Sequence, residues 1–227
     1  KNSEKREYYK NIKIVRTRKR VKTISIKIKN SSAEIYCPIF TSKNQIRLIL
    51  DKKMHWIKKK IDEQPKQLKF ENGLVLDFLE KKVVITFLKG KNFVDIDGNK
   101  LLISSFKDSI DSRKKLVNKW FAFQSRKYLL QRIFELSKKF NIHYESVNVK
   151  SYKARWGCCS CEGRIILNWK LILLPKKIID YVIIHELCHV LEKNHSSQFW
   201  KLVESFNPDY KKNKAWLKKN GTTFILF

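Results

Sequence analysis

The stretch Asp180-Tyr-Val-Ile-Ile-His-Glu-Leu-Cys-His-Val-Leu191 constrains the fold more than any other part of the sequence. It is too long for an ordinary strand, holds no glycine or proline, and is apolar on nearly every side. It therefore reads as a helix buried in a core, and it carries His185, Glu186 and His189 into that core. A helix turns about 100° per residue, so His185 and His189 project from one face, one turn apart. Two imidazoles at that spacing can grip one Zn²⁺ at ~2.0–2.1 Å each. Glu186 lies beside the first of them, where a carboxylate can reach a zinc-held water without ligating the ion, as a general base does. A core has little use for two histidines and a glutamate at this spacing. His55 and His143 have no such partners in sequence and read as ordinary residues.

A catalytic zinc takes three protein ligands and keeps one position open. His195 is the candidate third ligand, but on an uninterrupted helix it would lie about 240° around from His189. The helix must therefore stop near Glu192–Asn194, with Asn194 suited to the left-handed conformation that ends helices. Ser196 is placed to cap a following helix, so that the chain turns back and presents His195 to the metal.

Elsewhere the pattern changes period. Ile24, Ile26 and Ile28 alternate with Ser25 and Lys27, and Ile35, Cys37 and Ile39 alternate after Asn30-Ser31-Ser32, which predicts a hairpin. Thr41 or Ser42 can cap a helix bearing Ile46, Ile49, Leu50, Met54, Ile57 and Ile61, which Pro65 closes. Strands return over residues 68–106, with a tight turn at Asp97-Gly98. From Asp108 to Phe140 apolar residues fall at helical intervals, as one long helix or a broken pair. Ser146–Ser151 and Arg164–Trp169 read as strands, Pro175 as a helix start, and Gly221 as the end of a last helix. No internal repeat is visible. These readings predict an α+β fold with a β-rich N-terminal region, residues 1–106, and a second domain, residues 107–227.

The net charge is +29, from 50 Lys and Arg against 21 Asp and Glu. Such an excess attracts polyanions without sequence readout, which makes nucleic acid a candidate partner. It also fits solvated lysines, because Lys rather than Arg supplies most of it. The five cysteines are odd in number, and three crowd into Cys158–Cys161, which excludes a disulfide framework and suits a reducing compartment. No apolar run approaches the ~20 residues of a membrane span. Lys1–Lys22 lacks the apolar core of a signal peptide, so the expected location is the cytoplasm.

Several stretches together resemble the YgjP-like metallopeptidase family, a relative of the SprT-like and WLM zincins. They are Arg155–Ser160, Gly163–Trp169, Leu174-Pro175, Asp180–His189, Asn194-His195-Ser196 and Phe199-Trp200. The resemblance implies a minimal zincin fold over residues 107–227, with the active-site helix against a small sheet. It implies zinc on His185, His189 and His195, Glu186 as base, and hydrolysis of a protein or peptide. Arg155, Trp156 and Asn168 are candidates for shaping the substrate site. Arg164–Trp169 is a candidate edge strand for an extended peptide. SprT-like relatives act on DNA-bound proteins, which keeps a DNA-associated protease among the alternatives, beside a basic nucleic-acid-binding protein with a metal site. Where the family has Trp-Gly-Ser-Cys-Ser, this chain has Cys158 and adds Cys161. With Cys159 and Cys188 these could form a thiolate metal site or act as small packing residues.

Overall fold

The computed structural model describes residues 7–29, 32–62, 69–152 and 154–225. It divides into two units, residues 1–67 and 68–227. In the first, Ile26, Ile28, Ile35 and Cys37 lie in strands as expected, whereas Ile24 and Ile39 fall just outside them and Asn30-Ser31 lies outside the described residues. β1 (Glu7–Tyr9), β2 (Ile12–Thr17), β3 (Ser25–Lys29) and β4 (Ser32–Pro38) lie in the order β1-β2-β4-β3, with β2 and β4 parallel and the other pairs antiparallel. Helix α1 (Lys43–Asp62) follows, its first turn capped by the Ser42 hydroxyl accepting from the Gln45 amide. Ile46, Leu50 and Ile57 of α1 pack on Ile12, Ala33, Ile35 and Cys37 of the sheet, forming a small core. Pro65 lies outside the described residues.

The second unit begins with β5 (Val75–Phe78), β6 (Lys81–Lys89), β7 (Phe93–Asp97) and β8 (Lys100–Ser105), in the order β5-β6-β8-β7 with β6 and β8 parallel. This is the topology of the first sheet repeated. The first turns match too: Lys10 and Asn11 between β1 and β2 have φ of 45° and 64°, and Leu79 and Glu80 between β5 and β6 have 48° and 68°. Two consecutive positive φ values mark the hairpin turn whose twist matches its strands. Each four-stranded sheet is followed by a helix that packs on it. The absence of a visible sequence repeat is therefore corrected by the structure: strand pairing and turn geometry recur while the residues do not.

Helix α2 (Ile110–Phe140) is one continuous helix. Ser109 caps its start through its hydroxyl, and Asn141 ends it in the left-handed conformation at φ 53°. Val117 and Phe121 pack on Val83, Ile85, Leu101 and Ile103 of the second sheet, while Leu129, Ile133 and Leu136 enter a separate core further along. The expected boundary near residue 107 thus falls inside the second unit. A change of hydrophobic period marked the passage from strand to helix, and the helix is packed on the strands it follows.

The remainder builds the frame of the candidate site. β9 (Ser146–Lys150), β10 (Gly157–Cys159) and β11 (Arg164–Asn168) form a sheet in the order β10-β11-β9. A 3-10 turn (Trp169–Leu173) leads through Pro175 into α3 (Lys176–Leu191), then α4 (Ser197–Phe206) and α5 (Tyr210–Ile225). Ile178, Ile179, Val182, Ile183, Ile184, Leu187 and Cys188 of α3 are all buried, as its composition requires. The Arg132 guanidinium of α2 grips both oxygens of Asp180 at 2.7 and 2.8 Å, tying α3 to α2. Two expectations change here. β11 is the central strand, not an edge, because β9 and β10 flank it; the strand at the edge beside α3 is β10. Gly221 does not end α5. It lies inside that helix, where a side chain would come within 3.1 Å of Trp156 Nε1, so its role is close approach. Among the described residues no helix is long and apolar enough to cross a membrane.

Candidate metal centre and active site

His185 and His189 project from one face of α3, as their spacing requires. The helix stops at Leu191, and Glu192 adopts extended backbone (φ −125°, ψ 108°). The break is therefore made by Glu192 and not by a left-handed Asn194, which is absent from the positive-φ residues. Ser196 caps α4, its hydroxyl accepting from the Phe199 amide at 3.1 Å. The reversal brings His195 back over α3. Its Nε2 lies 3.2 Å from His189 Nε2 and 3.1 Å from His185 Nε2.

Two nitrogens bound to one tetrahedral zinc at ~2.0–2.1 Å would stand about 3.3 Å apart, so the three rings fit an ion. Their protonation fits as well. His189 Nδ1 lies 3.0 Å from the Glu192 carbonyl. A carbonyl only accepts, so Nδ1 carries the proton and Nε2 presents its lone pair. Burial, and then the neighbouring His189 and His195, push the His185 pKa down to about 3, leaving the neutral, metal-binding form. Burial also lowers His189. His195 Nε2 faces both other nitrogens at once; a single N–H cannot make two linear bonds to them, whereas a cation can contact all three. Among the described residues this is the set of three or more His, Cys, Asp or Glu whose donor atoms converge.

Aromatic rings wall the cluster. Phe199 stacks on His189 at 4.4 Å between centroids, Trp200 stacks on His195 at 5.5 Å, and Tyr210 stacks on Trp200. The Lys214 ammonium sits 3.7 Å from the Trp200 centroid and adds to the pressure against a charged His185. The Pro208-Asp209-Tyr210 stretch resembles family positions without a role attached to it, and nothing in the local spacing points to Lys214; both Tyr210 and Lys214 lie on α5, far along the chain from His185.

Glu186 is 5% exposed. Burial raises its pKa to about 8, while the Arg155 charge opposes that rise. Its carboxyl lies against the backbone of β10: a Cβ on Gly157 would fall 2.6 Å from Glu186 Oε1 and 2.8 Å from its Cγ and Cδ. Gly157 was quoted in the motif without a role, and this contact supplies one. Of the residues expected to shape the substrate site, Arg155 is exposed with its guanidinium over the Tyr152 ring. Trp156 packs against the main core and the Gly221 backbone. Asn168 is wholly buried; its amide donates to the Tyr152 and Arg155 carbonyls at 3.0 and 2.9 Å and its oxygen accepts from the Lys170 amide. Asn168 therefore pins the loop carrying Arg155–Gly157 and faces no substrate. The cysteines do not converge as a set of three: Cys188 is buried in the core, where desolvation pushes its thiol up to about 12, and Cys161 is exposed.

No curated protein matches the chain. A solved structure, described as the metallopeptidase zymogen of Pyrococcus abyssi abylysin, is 23% identical, with 40% of this chain and 93% of that chain covered and a TM-score of 0.36. The YgjP-like, metallopeptidase domain family matches residues 22–220. That span takes in the three converging histidines, Glu186 and most of the chain, and so the protein belongs to the YgjP-like metallopeptidase family.

Proposed function

We propose that this metallopeptidase is a zinc enzyme in which His185, His189 and His195 hold the ion and Glu186 is the general base. The observation that carries the reading is the convergence of three imidazole Nε2 atoms at 3.1 and 3.2 Å. Zinc bound there would supply a Lewis acid for a peptide carbonyl and lower the pKa of a water toward ~7. Glu186 in its carboxylate form, which prevails above about pH 8, accepts the proton from the attacking water and delivers it to the leaving amine. Burial and the Gly157 contact hold its carboxyl in one place, and Arg155 favours its charged form. An extended substrate has a partner in β10, an edge strand that among the described residues pairs with β11 alone and runs beside Glu186. The pinning of Tyr152 and Arg155 by Asn168 fixes the approach to that edge.

The rival reading is a basic nucleic-acid-binding protein that keeps zinc for structure. A structural zinc has four protein ligands; three donors converge here beside a buried carboxylate, which favours the enzyme. The test is elemental analysis with a proteomic cleavage screen. Glu186→Gln should retain one zinc and lose hydrolysis by about 10²–10⁴-fold, and His185→Ala should lose the zinc. Native protein that binds no zinc would overturn the reading.

A further inference from the structure

The two four-stranded sheets share a topology, which makes each a control for the other. In the first, one face packs on α1 through Ile12, Ile26, Ile35 and Cys37. Register then assigns the opposite face. Tyr8 stands beside Lys13, Lys13 beside Glu34, and Glu34 beside Lys27; one step along, Tyr36 lies between Val15 and Ser25. Tyr8 is 55% exposed. Over the Tyr36 ring sit the Lys27 ammonium at 4.8 Å and the Arg20 guanidinium at 5.6 Å. The face is thus two tyrosines, two strands apart, set among cations. Its single acid, Glu34, is already bound by the Tyr36 hydroxyl at 2.7 Å and Lys13 at 3.6 Å.

The rest of the unit adds to the charge. Between β2 and β3 the chain reads Arg18-Lys19-Arg20-Val21-Lys22, and Arg18, Lys19 and Lys22 are exposed with no carboxylate partner among the described residues. Glu7 and Asp51, by contrast, are paired with Arg16 and Lys10. The second sheet shows that this is not a consequence of the fold. Its corresponding face presents Asp77, Asp95 and Asp97 against Lys82 and Lys100.

We infer that the open face of the first sheet, with the adjoining Arg18–Lys22 loop, is a binding platform for single-stranded nucleic acid. A base stacks on Tyr8, while phosphates lie on Lys13, on the Arg20 and Lys27 cations held over Tyr36, and on the loop. Stacking on the exposed Tyr8 ring, flanked by cations, suits a splayed-out base, whose π-face is accessible, and a duplex hides it. The inference stands apart from the peptidase reading, since it concerns binding by residues remote in sequence from His185–His195 and needs no zinc.

The test is fluorescence anisotropy on the full chain with labelled oligothymidylate, labelled oligouridylate and a duplex of equal length, across a salt series. Both single strands should bind more tightly than the duplex, with affinity falling as salt rises; preference between the two identifies DNA or RNA as the source. Tyr8→Ala should weaken binding about tenfold and Tyr8→Phe should restore it, because the ring and not the hydroxyl stacks. Arg18→Glu with Lys19→Glu should weaken all sequences alike and flatten the salt slope. The control reverses Lys82 and Lys100 on the second sheet, an equal change in net charge, and should leave binding intact. Equal loss from that control, tighter binding of the duplex, no binding of single strands, or displacement by polyglutamate as effective as by oligothymidylate would each overturn the proposal.

Discussion

Gly157→Ala tests the contact on which the candidate site depends. The added Cβ would fall 2.8 Å from Glu186 Cγ and Cδ and 2.6 Å from Oε1. Carbon atoms pack at about 3.5–4.0 Å, so the carboxyl must move by on the order of 1 Å or the strand must yield. β10 is held by its ladder to β11, and Glu186 is the end of a side chain, so the carboxyl moves. Overpacking of this kind costs about 1–3 kcal/mol. At ~2–4 °C per kcal/mol for a unit of this size, Tm should fall by about 2–12 °C. A displacement of about 1 Å in a catalytic group lowers turnover by about 10²-fold. Zinc content should not change, because the three atoms nearest the new methyl all belong to Glu186, which does not ligate the ion.

A double-mutant cycle read by calorimetry isolates the contact without any substrate. In a Glu186→Ala background the new methyl meets no carboxyl, so Gly157→Ala should then be close to neutral. The coupling equals the clash. Equal destabilisation in both backgrounds would refute the reasoning, as would wild-type turnover in Gly157→Ala.

Further outcomes follow from the same structure. Removing zinc with a chelator should lower Tm, and adding it back at about a hundredfold excess over Kd should restore ~2.7 kcal/mol, measured by calorimetry; no shift would count against a site formed in the native state. Asp180→Asn breaks the two-pronged grip of Arg132 on α3 and should destabilise by about 1–3 kcal/mol in a denaturant titration. Gly221→Ala sets a helix-propensity gain of ~1 kcal/mol against crowding of Trp156 and should be near neutral, while Gly221→Val should lower Tm clearly. The Arg113 guanidinium, then Lys89, holds the Asp108 carboxyl below the usual range. Its contribution is therefore present above the unfolded pKa and lost as pH falls through the lower folded one, so Asp108→Asn should lower Tm at neutral pH and match wild type in strong acid.

Local patterns were legible in the sequence and long-range ones were not. The i, i+4 spacing of His185 and His189 fixed their shared face, and the six-residue gap to His195 forced a break that the structure has, because both follow from helix geometry alone. The agent of the break was misjudged: Asn194 tolerates a left-handed turn, but extended Glu192 achieves the reversal and its carbonyl also orients His189. Gly221 was read as a helix end because glycine stops helices, yet here it makes room for Trp156, a neighbour far off in sequence. The edge position expected for Arg164–Trp169 fails for the same reason: a strand's place in a sheet depends on which partners arrive from elsewhere in the chain. Asn168 showed a polar side chain beside a motif, and only its buried amide bonds reveal that it serves the loop.

The repeated topology explains why the boundary was misplaced and what α2 does. Each four-stranded sheet needs one helix to cover its apolar face, and α1 does this with 20 residues. Helix α2 does the same with its first half and then continues to 31 residues, about three turns further. The extension carries Leu129, Ile133 and Leu136 into the core that surrounds α3, and Arg132 onto Asp180, one turn before His185. One helix therefore completes a sheet and walls the candidate centre, which joins the second sheet to the site in one folding unit. The first sheet, whose helix ends where its own core ends, is under no such constraint, and its open face carries Tyr8 and Tyr36 where the corresponding face of the second carries Asp77, Asp95 and Asp97.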